Sequence, residues 1–523
     1  MKKYFFMLLA WILFAFPSPA QNVAINEDGS LPNPHAIVDI KSSTKGVLIP
    51  RMSTSARLAI PNTLGLIVYD TNTGSIWYNT GNLWIDLGIG NNSSAWLLKG
   101  NSNAQDKVNF LGTTNNAPLN IRVNNQPSGC IDPKRKNAYW GYLAGKSDSI
   151  GTNNVAIGYQ ALASSKFGYS NVAIGIDAMY QDEETNNSVA IGDSACYHGS
   201  GFQNTAIGSK SLFSTGGSRN TAVGYQTLYA NQSGYENVAI GNIALLNNTT
   251  GVDNTAIGDD CMANNTFGTY NTACGYFALW SNIYGQANAA FGEGALASNT
   301  SGIFNTAVGC NSLSLNTFGN NNTAIGINAG PAVAGLNNTV ALGAGASVDV
   351  DNKVRIGGSE ITVIEGQVPL TTPSDGRFKF NIQENVKGLD FILRLRPVTY
   401  QFDVRKQDDF IKGNITPEQL NSYASQAVNN QAAQLIRTGF IAQEVEQAAK
   451  NAGYDFDGIK IPKTERGYYS LSYSSFVVPL VKAVQEQENI ILEQKQEINS
   501  LQARVANLER KIDEITKWIQ SSH

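Results

Sequence analysis

A five-residue motif that recurs every 16 or 17 residues dominates the middle of the chain. It reads Asn-Val-Ala-Ile-Gly at residues 154–158 and 171–175, and Asn-Thr-Ala-Ile-Gly at residues 204–208. A fixed short period predicts that each copy is one turn of a stack, which buries its apolar face only against its neighbours. We therefore expect a mainly β fold, with a parallel β-solenoid over residues 151–345. Its twelve copies end at Gly158, Gly175, Gly192, Gly208, Gly224, Gly241, Gly258, Gly275, Gly292, Gly309, Gly326 and Gly343.

Alternation within each copy predicts which side chains face inward. Ala and Ile of the motif project to opposite faces of a strand, and Gly allows the tight corner that follows. A second motif, such as residues 160–162 (Gln-Ala-Leu), supplies another inward side. Cys274 and Phe291 stand where Ile usually stands, so we interpret both as variants of the core. At β-strand spacing the twelve turns predict a rod of about 55 Å.

Charge and composition exclude several kinds of function. The whole chain has 37 basic and 41 acidic residues, and the repeat region has three basic against ten acidic ones. Nucleic-acid binding needs a basic face, so nucleic acid is not an expected partner. The five cysteines are scattered and lack CxxC spacing, and only three histidines occur. We therefore predict no metal site and no cofactor.

The N-terminus has the pattern of an export signal. Lys2 and Lys3 precede an apolar stretch, and Ser18-Pro19-Ala20 provides a small-residue cleavage site, so residues 1–20 are predicted to be removed. The mature protein is then expected at the cell surface, in the outer membrane or in the extracellular space, without a transmembrane segment after signal removal. A β module is predicted for residues 21–95, where turn-forming residues separate three short β-type runs into two hairpins. A connector follows at residues 96–150.

A heptad pattern predicts a coiled coil over residues 481–519. One seam position holds only the β-branched residues Val and Ile, and the other holds Gln, Leu and Ile. This pattern alone leaves the number of strands open between two and three. The first seam comprises Val484, Ile491, Ile498, Val505, Ile512 and Ile519, and the second comprises Gln487, Gln494, Leu501, Leu508 and Ile515.

The segment that precedes the coiled coil carries four motifs in a recognisable order. Ser-Asp-Gly-Arg-Phe-Lys at residues 374–379 is followed by Leu-Arg-Pro-Val-Thr-Tyr at 395–400, Gly-Phe-Ile-Ala-Gln-Glu-Val at 439–445, and Tyr-Ser-Ser-Phe at 473–476. Together they resemble the peptidase S74 family, the intramolecular chaperone domain of phage tailspikes and endosialidases. The resemblance implies a chaperone domain over residues 373–480, preceded by a β stalk connector at 346–372.

The same resemblance implies a self-cleaving site. It makes Ser374 the nucleophile and Lys379 the general base, with the scissile bond between Pro373 and Ser374. A serine hydroxyl needs a nearby base, and lysine acts as one near neutral pH only if burial or a neighbouring cation lowers its pKa. Arg377 is close enough in sequence to supply such a charge or to hold the oxyanion. Without the family pattern, Asp375 reads as a turn residue and Lys379 as a solvated charge.

The repeats themselves resemble the head of YadA-type trimeric adhesins, which carry an NxVAIG element on each turn. That resemblance implies a homotrimer and a host-surface or glycan ligand. The sequence thus favours a secreted or surface trimeric fibre whose C-terminal domain assists folding and releases itself. The alternative is a structural adhesin whose C-terminal domain is an uncut trimerisation foot. A glycan-degrading enzyme has little support, because the repeats lack a carboxylate pair set in an elaborated loop.

Overall fold

The computed structural model describes residues 22–87, 104–106, 108–414, 416, 434–465 and 467–522. The predicted export signal at residues 1–20 lies outside them. Contacts within the chain divide it into two compact units at Gly112. In their described parts, the fold is the mainly β one predicted from the repeats, with a small α/β domain and a long C-terminal helix.

The first unit contains two small sheets. In one, β1 (Val23–Asn26) pairs in parallel with β2 (Val38–Lys41). In the other, the predicted hairpins are confirmed, because β4, β5 and β6 are successive antiparallel strands and β3 pairs in parallel with β4. A short helix precedes this meander. The remaining bounds are β3 (Arg51–Met52), α1 (Thr54–Ala59), β4 (Ile67–Asp70), β5 (Ser75–Asn79) and β6 (Trp84–Asp86).

A solenoid sheet of 16 described strands forms most of the second unit. Three antiparallel strands open it, and the repeats then add parallel strands one turn at a time, with each motif alanine opposite the next. A separate parallel pair, β21 and β23, belongs to the last turns. The strands are β7 (Leu119–Val123), β8 (Gln126–Asp132), β9 (Asn137–Trp140), β10 (Val155–Ile157), β11 (Val172–Ile174), β12 (Val189–Ile191), β13 (Thr205–Ile207), β14 (Thr221–Val223), β15 (Val238–Ile240), β16 (Thr255–Ile257), β17 (Thr272–Cys274), β18 (Ala289–Phe291), β19 (Thr306–Val308), β20 (Thr323–Ile325), β21 (Gly330–Pro331), β22 (Val340–Leu342), β23 (Ser347–Val348) and β24 (Val354–Ile356).

The solenoid interior is filled by the alanines of the first motif and by the Ala-Leu pairs of the second. The motif alanines, such as Ala256, are fully buried, and so is the Ala-Leu pair of the second motif, as at Ala161 and Leu162. The Ile position faces outward instead: Ile257 is 40 % exposed. The interpretation of Cys274 and Phe291 as core variants is therefore wrong, because both lie on that outer face.

Buried asparagines satisfy the backbone at the corners of the turns. Asn254, at the start of its motif, accepts a hydrogen bond from the Asn271 backbone N–H and donates its own side-chain N–H to the carbonyl of Gly268. Five further repeats continue this ladder without interruption from Asn220 to Asn322. A buried backbone group without a partner is costly, so each asparagine contributes to stability as well as to register.

A small α/β domain follows the solenoid. Its core joins Phe391, Val445, Phe456 and Phe476 with three alanines. Strands β25 and β26 pair in antiparallel fashion, as do β27 and β28. The bounds are α2 (Leu389–Ile392), β25 (Val398–Gln401), α3 (Val404–Lys412), β26 (Ile436–Gly439), α4 (Ala442–Asn451), β27 (Ile459–Lys460) and β28 (Ser470–Leu471), with single 3-10 turns at Gly376–Phe378 and Tyr473–Phe476.

The chain continues into one long helix, α5 (Val477–Ser521), of 45 residues. Its first turns are anchored in the small domain, where Pro479 and Ala483 are buried and Glu486 accepts a hydrogen bond from the Leu389 backbone N–H. The predicted heptad seams lie along the rest of the helix and are exposed, for example at Ile498. In the described part of the chain, none of the helices has the length and apolarity that crossing a bilayer requires.

Candidate functional site

The predicted nucleophile and base come together across one 3-10 turn. Asp375 caps this turn by accepting the Arg377 backbone N–H, and the Lys379 backbone N–H donates to the carbonyl of Gly376. The turn reverses the chain locally, so that Nζ of Lys379 lies 2.8 Å from Oγ of Ser374. This distance is a hydrogen bond, the contact that proton transfer from a serine to a lysine requires.

Arg377, suggested above as a source of positive charge or as a donor to the oxyanion, pairs with Asp375 in the single chain. Its guanidinium donates two hydrogen bonds to the carboxylate of Asp375. Nε lies 2.9 Å from Oδ2, and a terminal nitrogen lies 2.5 Å from the same oxygen. The hydrogen bonds from Arg377 lower the pKa of the Asp375 carboxyl. Since each charge is neutralised by the other, Arg377 provides no free cation beside Lys379. Asp375 is the turn residue that its local sequence predicts.

The site lies on an exposed segment of the single chain. Every residue from 360 to 385 is exposed. Three large apolar side chains on either side of Lys379 share this exposure: Phe378 at 79 %, Phe380 at 85 % and Ile382 at 77 %. Apolar side chains in such numbers rarely face water unless another surface covers them. The single chain thus supplies the Ser–Lys contact but not the shielding that a lysine base needs.

The other motifs of this region build the domain around the segment. Arg396, from the second motif, forms a fork with Glu444 of the third, and this pairing lowers the pKa of the Glu444 carboxyl. The hydroxyl of Tyr473 accepts the backbone N–H of Phe440 at 3.0 Å. A side chain at Gly439 would collide with that hydroxyl. These contacts give the motifs a structural role.

Sequence reasoning missed the polar contacts between the solenoid end and the domain that follows it. Asp408 of α3 is 7 % exposed, and Tyr468 contacts Lys353 through its hydroxyl. The signal in the sequence was weak, since neither residue belongs to a motif. In the described residues no cluster of histidine, cysteine or acidic side chains is arranged to hold a metal ion.

Two family descriptions match parts of the chain. Residues 24–102 match the phage tail like trimerisation region, and residues 374–454 match the chaperone of endosialidase, also described as peptidase S74. The second match begins at Ser374 itself. Neither match includes residues 151–345, so the likeness of the repeats to adhesin heads stays a prediction. No curated protein and no solved structure matches the chain.

These matches support the coarse architecture of the chain. The chain carries an S74-type chaperone domain at its C-terminal side and a trimerisation region at its N-terminal side. A homotrimeric fibre with an intramolecular chaperone is consistent with both, and also with the unpartnered heptad seams of α5.

Proposed function

We propose that this protein is a secreted, surface-exposed homotrimeric fibre whose C-terminal domain helps it to fold and then cuts the bond between Pro373 and Ser374. The observation that carries the proposal is the 2.8 Å contact between Lys379 and Ser374, in a segment that matches a self-chaperone family from Ser374 onward. The fibre has no expected cofactor, and its partners are the other two copies of the chain.

The chemistry requires only the two side chains and water. Lys379 takes the proton of the Ser374 hydroxyl, and Oγ attacks the carbonyl carbon of Pro373. The amide nitrogen of Ser374 leaves with that proton, so an ester replaces the peptide bond. Water then hydrolyses the ester, which leaves a carboxylate on Pro373 and restores the hydroxyl of Ser374. The cut separates a C-terminal fragment of about 150 residues.

Assembly provides the shielding that the single chain lacks. Three copies of α5 bring three segments 360–385 together, and their exposed apolar side chains then have partners. Outside the site, the outward Ile position forms an apolar row along the solenoid, for example Ile240, Ile257 and Ile325. Such a row favours contact with other copies. Cleavage that depends on burial would therefore follow trimer formation.

A trimeric parallel stack benefits from a folding aid at its C-terminus. Many non-local strand pairings must find one register, which is slow and exposes apolar surface meanwhile. A coiled coil first raises the effective concentration of the three chains. Cleavage afterwards removes the refolding route and leaves the fibre kinetically trapped.

The test compares the mature chain with Ser374→Ala and Lys379→Ala, and uses Lys387→Ala as a matched control on an exposed lysine nearby. Denaturing gels and intact mass measure cleavage. We expect the wild type and the control to give a fragment that starts at Ser374, and both site variants to stay whole. If all four chains remain full length while the trimer forms, the C-terminal domain is a trimerisation domain that stays covalently attached.

A further inference from the structure

Contacts across the predicted cut join the solenoid end to the chaperone domain. All of them link residues before Pro373 to residues after Ser374, so none is broken by cleavage of that bond. They involve the last turns of the solenoid, β23 and β24 with the residues around them, on one side. On the other side lie α3 and the loop that contains Tyr468.

The first contact is an ion pair that is largely buried. The guanidinium of Arg355, in β24, lies 3.6 Å from Oδ1 of Asp408 in α3, and the two side chains are only 15 % and 9 % exposed. Glu360 and Arg405 add an exposed pair at 3.9 Å. Asp408 also lies 3.8 Å from Lys412 of its own helix, but loss of Asp408 leaves the largely buried Arg355 without a carboxylate partner, which costs more than loss of an exposed pair.

The second contact centres on Lys353. Its amine lies 2.7 Å from the carboxylate of Asp349 and donates to the Tyr468 hydroxyl at 3.1 Å, and it lies 4.4 Å from the centre of the Tyr468 ring. Burial lowers the pKa of Lys353, but Asp349 and Tyr468 outweigh that effect and raise it. Lys353 is therefore charged at neutral pH, and Tyr468 supplies part of its environment from beyond the cut.

The third contact is apolar. Helix α3 packs against β23, the outermost strand of its sheet. Val404, Phe410 and Ile411 of the helix are buried, and Val348 of the strand is buried as well. The last turn of a parallel stack has no next turn to cover it, so solenoids need a cap, and an uncovered strand edge invites aggregation. Helix α3 provides that cover here.

We propose that the chaperone domain is also the terminal cap of the solenoid, so that after cleavage the C-terminal fragment stays bound to the fibre. The inference rests on the proposed function in one respect only, namely that self-cleavage makes the cut. The contacts that hold the fragment do not depend on it. The occupant of the solenoid end is the segment from Val404 to Lys412 of this chain, together with Tyr468. In a trimer three caps are joined through α5, so the fragment leaves only when all three release.

A cut made by an external protease tests the cap independently of self-cleavage. A recognition sequence for a site-specific protease, flanked by Gly-Ser spacers that keep it accessible in the trimer, is inserted after Pro373 in the Ser374→Ala chain. After digestion, a denaturing gel measures the cut and size exclusion at about 0.15 M salt measures release. We expect the two fragments to elute together. Immediate separation of the digested fragments overturns the proposal.

Charge variants show whether these contacts hold the fragment. Asp408→Arg should speed dissociation of the digested complex by roughly 10- to 100-fold. The swap of Arg355→Asp with Asp408→Arg should restore much of the binding, which excludes simple misfolding of α3. Asp390→Ala is the matched control, because it breaks the Asp390–Arg394 pair, which lies wholly within the fragment. If Asp390→Ala releases the fragment as fast as Asp408→Arg, or if the swap rescues nothing, the assigned contacts are wrong.

The two proposals fail in different ways. If the wild-type chain never cuts itself but the protease-cut fragments stay together, the cap is supported and self-cleavage is not. If the chain cuts itself and the fragment leaves at once, self-cleavage stands and the cap is refuted.

Discussion

Asp182 stands at the position in its repeat that Asn231 occupies three repeats later. The side-chain N–H of Asn231 donates to the carbonyl of Gly234, and its oxygen accepts from Asn248. Asp182 accepts the backbone N–H groups of Thr185 and Glu184 through Oδ1, but its buried Oδ2 has no hydrogen-bond partner among the described residues. Burial raises the pKa of Asp182 to about 6, although those hydrogen bonds oppose the rise.

The substitution Asp182→Asn is therefore expected to stabilise the solenoid at neutral pH. The pKa in the fold lies above the value of 3.8 in the unfolded chain, so the folded wild type holds the proton more tightly and loses stability as pH rises from about 4 to about 6. The variant has no such loss. We expect a gain of about 3 kcal/mol in the free energy of unfolding at pH 7.5 and little gain at pH 4. Urea denaturation at both pH values measures it.

Asp259→Asn is the control for that experiment, since Asp259 is an exposed residue of a later repeat. It should change the urea midpoint little at either pH. An Asp182→Asn chain that is less stable than the wild type at pH 7.5 would mean that the carboxylate makes a favourable contact in the assembled fibre.

The substitution Lys379→Arg distinguishes two roles of Lys379, that of a general base and that of a hydrogen-bond donor to Ser374. Arginine can still donate to Ser374, but its guanidinium does not give up its proton in proteins. If Lys379 acts as the base, cleavage should fall at least 100-fold while the trimer still forms. Fragment yield on denaturing gels and trimer mass by light scattering are the two measurements. Normal cleavage by the arginine chain would show that the amine only positions Ser374.

The repeats allowed much of the fold to be predicted. It was harder to predict which face of each solenoid strand is buried in the core. Period and alternation gave the strands, the corners and the buried Ala-Leu motif. They placed Ala256 and Ile257 on opposite faces of a strand, but they did not show that the alanine face is the buried one and that Ile257 faces outward. The contact between Ser374 and Lys379 came from a family pattern, because the 3-10 turn that makes it has little local signal. The pairing of Arg355 with Asp408 joins residues 53 apart, and no local rule predicts it.

Arg57→Met is expected to destabilise the N-terminal unit. Arg57 and Asp70 form a buried pair at 2.8 Å, and the guanidinium lies 3.6 Å from the centre of the Trp77 ring. Burial acts to raise the pKa of Asp70, but Arg57 and Thr54 outweigh it and lower the pKa to about 2. Because that value is below 3.8, the pair stabilises the unit above about pH 4, and the benefit is lost as pH falls toward 2.

The expected cost of Arg57→Met near pH 7 is roughly 3–5 kcal/mol, because it leaves Asp70 buried without its cation. Thermal unfolding followed by circular dichroism measures it. Arg51→Met, at an exposed arginine of the same unit, is the control and should cost little. Equal losses in both chains would contradict the role given to the buried pair.

Ile498→Lys tests whether α5 drives assembly. Ile498 lies on the first heptad seam and is 54 % exposed in the single chain, which fits a position that other copies cover. A lysine there places like charges at the centre of the coiled coil. We expect the trimer to dissociate in sedimentation experiments and the Ser374 fragment to decrease with it. Ser500→Lys, two residues away and off both seams, should change neither result.

Gly258→Ala tests how closely successive turns approach one another. Gly258 has a φ of +139°, and a Cβ there would lie 2.6 Å from the carbonyl oxygen of Gly275 in the next turn. Both the conformation and the collision oppose alanine, and the hydrogen-bonded backbone leaves no room to shift. Gly345→Ala is the matched control, because Gly345 has a φ of +66° with nothing within 4 Å of the added carbon. It should cost about 1 kcal/mol, as expected for alanine in the left-handed region. Gly258→Ala should lower the urea midpoint several times more, and equal effects would mean that the turns can separate.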